Sequence, residues 1–153
     1  MIHEHEVIEA QKTWGDAIVA IGAAATWEEA HQRATKTVRS LYHMEDGTLL
    51  FAPTKAADNQ FRPTEKDAVS YFVGQDTDHP EDLGFALEPW CSVRFENTGI
   101  VSRGDVAIAM GNYHFGKTDG TEVKVEFSFV YIRDSSGNLK IQLHHSALPY
   151  VRP

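Results

Sequence analysis

The sequence predicts an α+β fold, with three helices from its first half packed on an antiparallel sheet from its second half. Two observations carry this reading. Apolar residues recur at spacings of three and four through residues 4–22 and again after Thr26, the period of helices with one buried side. Beyond the turn-rich segment 75–82 the period changes to two, and Asp119-Gly120 and the cluster 134–138 punctuate it as hairpin turns do.

The elements follow in order. Val7, Ile8, Trp14, Ile18 and Ile21 form a stripe on a first helix over residues 4–22. Thr26 opens the second: its hydroxyl can cap the Glu29 amide while that carboxylate reaches back, a capping box. Trp27, Ala30, Ala34, Val38 and Leu41 then carry this helix to His43. Asp46-Gly47 supplies a turn before a short strand at 48–52, and 53–60 is a polar connection. Thr64, after Pro63, can cap a third helix with Ala68, Val69, Tyr71 and Phe72, and Gly74 stops it. Four strands are predicted at 92–97, 106–115, 122–133 and 139–146, with breaks at Thr98-Gly99 and Arg103-Gly104-Asp105.

The chain of 153 residues suits one domain over 1–153. Fourteen Lys and Arg against 22 Asp and Glu leave a net charge of −8, a balance that repels phosphate backbones and argues against nucleic acid as a partner. No apolar run approaches the ~20 residues of a membrane span, and the start lacks the basic segment of a signal peptide, so no membrane association and a cytoplasmic location are expected. Cys91, the lone cysteine, excludes an internal disulfide and a multi-cysteine zinc site. Beside Trp90 and without a visible helper, it reads as a small core residue.

On the strand 122–133 one face carries Val123, Val125, Phe127, Phe129 and Tyr131, and the other Lys124, Glu126, Ser128, Val130 and Ile132. Both faces become apolar towards the end, so both need a cover, and the simplest second cover is another copy of the chain. Self-association as a homodimer through the sheet is expected, with higher order open. His144 and His145 point to opposite faces and so cannot share a metal; no metal and no cofactor are expected. A neutral His144 can act as a general base or as a donor to a ligand, or can be a satisfied core histidine. Glu126, between apolar neighbours, needs a partner if buried, with Arg62, Arg94 or a histidine available. The expected pocket joins Trp14, Tyr42 and Phe72 from the helices to Glu126, Ser128 and His144 on the concave sheet face, with Arg62 and Trp90 also contacting a ligand. Glu126, His144 and Tyr42 are the candidates for catalysis, with Tyr42, Tyr71 or Tyr113 as hydrogen-bond donor to an oxyanion.

Val125-Glu-Phe-Ser-Phe-Val-Tyr-Ile-Arg-Asp and Leu139-Lys-Ile-Gln-Leu-His-His-Ser-Ala-Leu-Pro together resemble the close of the calcium/calmodulin-dependent protein kinase II association domain. Phe51-Ala-Pro-Thr-Lys-Ala-Ala, Gln60-Phe-Arg-Pro-Thr, Ser70-Tyr-Phe-Val-Gly and Phe85-Ala-Leu-Glu-Pro-Trp resemble stand-alone relatives of that domain. The resemblance places the chain in the NTF2-like (SnoaL-like, cystatin-like) superfamily. It implies a curved sheet wrapped around a long helix, a conical pocket, and dimers formed through the sheet. A homo-oligomeric module that binds an unidentified small molecule or serves as a scaffold is the leading expectation. The alternative is a small-molecule isomerase, dehydratase or cyclase using acid/base residues in the cone.

Overall fold

The first helix, α1 (Glu4–Gly22), begins where the backbone N–H of His3 donates to the Glu6 carboxylate at 2.8 Å. The computed structural model describes all residues, 1–153. Val7, Trp14, Ile18 and Ile21 of α1 are buried as their spacing predicts, whereas Ile8 falls on the outer side and is exposed. Helix α2 (Trp27–Leu41) has the predicted cap: Thr26 Oγ1 accepts from the Glu29 amide at 3.1 Å, while the Glu29 carboxylate reaches back to the Ala25 amide. It stops short of the expected His43, because Tyr42 turns extended and bridges Ile141, and the His43 amide donates to the Ile141 carbonyl. Helix α3 (Glu65–Val73) is capped by Thr64 and ends at Gly74, whose φ of 69° lies in the left-handed region that glycine adopts without strain.

The sheet order is β1-β5-β4-β3-β2. Strands β2 (Ser92–Arg103), β3 (Val106–Gly116), β4 (Glu122–Arg133) and β5 (Leu139–Ala147) form an antiparallel meander, and β1 (Leu50–Ala52) pairs parallel to β5. A short 3-10 turn, Phe85–Leu87, precedes β2. The break predicted at Thr98-Gly99 is a bulge inside one continuous strand. It crosses β3 at Gly111, where a Cβ would meet the Glu96 carbonyl, so only glycine leaves room for the kink.

The helices cover one sheet face. Tyr113, Phe115, Val125, Phe127, Phe129, Tyr131, Ile141 and His144 lie on it with Trp14 and Ile18 of α1 in a single buried core. On the outer face, Val101, Ile108, Val130, Leu143 and Leu50 occupy adjacent register positions across all five strands, three of them exposed. A second bulge between Val130 and Tyr131 sets His144 opposite Phe129.

That register corrects the pocket expected from the sequence. Glu126 is exposed and Ser128 half-buried on the outer face, because the heavier aromatic row Phe127–Phe129–Tyr131 takes the helix side. Neither therefore shares a face with His144. His145, as expected, points outward and is exposed. No helix is long and apolar enough to cross a membrane.

Candidate active site

A small, narrow cavity lies between α1, α3, the connection after β1, and strands β3 and β5. Aromatic and apolar walls come from Trp14, Phe51, Pro53, Phe72 and Phe85, and polar atoms from Thr54, Tyr71, Tyr113, His144 and Ser146. The space is on the scale of a single water molecule. It adjoins an open cleft lined by Lys55, Glu81, Leu83, Leu87, Glu88 and Trp90, which shares Tyr71 and Phe85 with it.

His144 is the centre of the arrangement. Its ring stacks on Phe129 (4.1 Å between centroids) and on Phe51 (4.9 Å), with Trp14 edge-on at 5.4 Å. Burial in this aromatic cage, and then the neighbouring His145, pushes its pKa down to about 3, so it is neutral at physiological pH. Nδ1 lies 2.9 Å from the Tyr42 hydroxyl, and Nε2 lies 3.0 Å from the Tyr113 hydroxyl and 3.1 Å from that of Ser146. The Tyr113 and Ser146 hydroxyls also bond to each other. Tyr42 accepts from Trp14 Nε1 at 2.9 Å. Tyr71 accepts from the Lys55 amide at 3.2 Å, and Thr54 lines the cavity with Tyr71 and Tyr113. Burial raises Tyr42, Tyr71 and Tyr113 well above the ordinary phenol range, so all three keep their hydrogens.

The connection that carries Thr54 and the helix that carries Tyr71 are fastened from outside the cavity. Arg62, fully buried, makes a two-pronged ion pair with Asp82 (2.7 Å on each arm) and donates to the carbonyls of Asn59 and Asp67. Asp82 also accepts from Ser70, the residue before Tyr71. Burial works against the Arg62 charge, but Asp82, Glu81 and Asp67 outweigh it and hold its pKa above the usual value. The next carboxylate, Glu81, accepts three successive amides, those of Ala57, Asp58 and Asn59, at 2.7–3.0 Å.

Of the residues named from the sequence, Trp14, Phe72 and His144 line the cavity together, as do the donor candidates Tyr71 and Tyr113. Tyr42 sits behind His144 rather than in the cavity wall. Trp90 lines the adjoining cleft, its indole bonded to the Phe85 carbonyl. Arg62 is consumed by Asp82 and Arg94 pairs with Glu122, so neither holds Glu126, which lies on the far side of the sheet. Thr54 and Ser146 were missed. Ser146 was within reach of the period-two rule, standing two residues after His144, but Thr54 lies in a connection without periodicity. No cluster of three or more His, Cys, Asp or Glu side chains is placed to hold a metal ion.

Three helices on a five-stranded sheet around a small buried site define an NTF2-like protein. A putative calcium/calmodulin-dependent protein kinase II association domain from Xanthomonas campestris is similar in fold, with a TM-score of 0.66 over 99% of this chain and 91% of that one at 20% identity. The family model of metal-independent carbonic anhydrase matches residues 5–148, and the chain belongs to that family. It is 40% identical to a metal-independent carbonic anhydrase of Nostoc sp. (strain PCC 7120), across 97% of this chain and 75% of the relative. The crystal structure of an iota-carbonic anhydrase from a cyanobacterium, complexed with bicarbonate, is 39% identical with a TM-score of 0.96, covering 99% of this chain and 94% of that one.

These findings correct the functional expectation. The association-domain resemblance is one of fold, and a ligand-binding or scaffolding role is overturned by membership of an enzyme family. The enzymatic alternative fits better, although the sequence reading did not name this family.

Proposed function

We propose that this protein interconverts carbon dioxide and bicarbonate, CO2 + H2O ⇌ HCO3− + H+, in the cavity around His144 and without a metal ion. The observation that carries the reading is the cavity itself, a narrow space with aromatic walls and converging hydroxyls, in a chain similar to a bicarbonate-bound structure. Apolar carbon dioxide is accommodated by the rings of Trp14, Phe51 and Phe72. When the water oxygen bonds to the carbon, the electron pair of one C=O bond moves onto its oxygen, and the water gives up a proton to solvent water in the adjoining open cleft. The hydroxyls of Thr54, Tyr71 and one member of the Tyr113–Ser146 pair are the donors available to that developing charge, held in place before the reaction begins.

Stopped-flow carbon dioxide hydration, followed with a pH indicator, tests this directly. Catalysis above the buffer rate is expected, unchanged by prior dialysis against a strong chelator. A rate equal to buffer, or one abolished by the chelator and restored by metal, would refute the proposal.

We propose further that the protein is a homodimer joined through the outer sheet face, supported by the apolar row from Val101 to Leu50 and by the exposed Met110. A stable interface buries ~1,200–2,000 Å². Light scattering should give a dimer mass at micromolar concentration, and Ile108→Asp should shift it to monomer; a monomeric unsubstituted protein would contradict the assignment.

A further inference from the structure

We infer that Trp14 and Tyr42 act as positioning residues that fix the tautomer of His144, and through it aim one hydroxyl hydrogen of the Tyr113–Ser146 pair at the cavity. The argument follows the hydrogens. An indole N–H only donates, so Trp14 Nε1 gives its hydrogen to the Tyr42 oxygen at 2.9 Å. The Tyr42 O–H then has one acceptor in reach, His144 Nδ1 at 2.9 Å. The imidazole is neutral in its aromatic cage, so its hydrogen resides on Nε2.

The opposite tautomer would direct Nδ1–H at an oxygen already receiving the indole hydrogen. The Tyr42 O–H would then be buried without an acceptor, which is costly at this depth. On the cavity side, Nε2–H faces Tyr113 and Ser146, which bond to each other. Of the five hydrogens of Trp14, Tyr42, His144, Tyr113 and Ser146, four therefore serve five contacts, the Nε2–H being shared between two of them, and one hydroxyl hydrogen is left over. It is directed to the side where Thr54 and the cavity lie. His144 in this state accepts nothing from the cavity. It leaves one of the two hydroxyls beside it as a donor, the polarity that an oxygen of bicarbonate needs. This last step rests on the function proposed above; the tautomer assignment does not.

Histidine 15N NMR on the whole protein, with the His144 signals assigned by comparison with His144→Gln, reads the relay. The unsubstituted protein should show His144 as a single Nε2–H form at neutral pH, and a Nδ1–H form would overturn the inference without any variant. Tyr42→Phe removes the donor to Nδ1 while keeping the ring. Its His144 should become a tautomer mixture, and kcat/KM for carbon dioxide hydration should fall about tenfold, the worth of one neutral hydrogen bond, with an unchanged circular dichroism spectrum. An unchanged tautomer in Tyr42→Phe, or a mixture with undiminished kcat/KM, would each refute the positioning role. An intact Nε2–H form in a protein without hydration activity would instead refute the proposed reaction and leave the relay standing.

Discussion

Asp82→Ala should destabilise the protein by about 3–5 kcal/mol, the cost of leaving a buried charge without its partner. Arg62 is fully buried, Asp82 is 1% exposed, and their paired contacts are both 2.7 Å. Alanine would also free the Ser70 hydroxyl next to Tyr71. The double variant Arg62→Met, Asp82→Leu removes both charges and should recover much of the loss, since a buried pair is worth little more than apolar residues of the same volume. Urea unfolding midpoints for the three proteins measure this. An Asp82→Ala midpoint within error of the unsubstituted protein would mean that Arg62 finds water or another carboxylate.

The second large effect is on acid stability. His144 is enclosed and its pKa is lowered to about 3, against an ordinary value near 6.5 in the unfolded chain. Between these values the unfolded state binds a proton that the folded state refuses, so stability rises with pH across the window and is lost as pH falls from 6.5. The slope from this one group is about 1 kcal/mol per pH unit or slightly more. The carboxylates held below their usual range, among them Asp67, Glu81 and Asp134, begin to withdraw their contribution only below about pH 5, so the interval from about 6.5 to 5 separates the histidine from them. Unfolding free energy measured across that interval should fall steeply for the unsubstituted protein and be nearly flat for His144→Gln, whose amide does not titrate. Parallel slopes in the two proteins would place the acid sensitivity elsewhere.

The helices and the meander were legible because their signals are local. Thr26 and Thr64 mark their helices by capping chemistry, and the strand pattern of 122–133 matches β4 residue for residue. The pocket was only half legible, for a geometric reason. Alternation divides β4 into two faces but does not say which is inside, and here both faces are apolar near the end. The choice belongs to Trp14 and the other groups packed against the rings of Phe127, Phe129 and Tyr131, and the bulge at Val130–Tyr131 then sets the parity of β5 against β4. His144 was thus identified correctly as an inward residue, yet grouped with Glu126 and Ser128, which face away. Thr54 depends on how the 53–63 connection is folded over the cavity, which only long-range partners determine.

Those partners have a consequence for how the site can breathe. Residues 57–59 lie on an exposed connection, where amides ordinarily open one at a time. Here Glu81 gathers all three amides, and the adjacent Asp82 holds Arg62, which in turn holds the Asn59 carbonyl. Two consecutive carboxylates thus grip the connection from both of its polar sides, and releasing either loosens the other. These bonds tie the connection after β1 to the segment before Phe85, so the amides of residues 57–59 are expected to exchange with solvent together rather than one at a time.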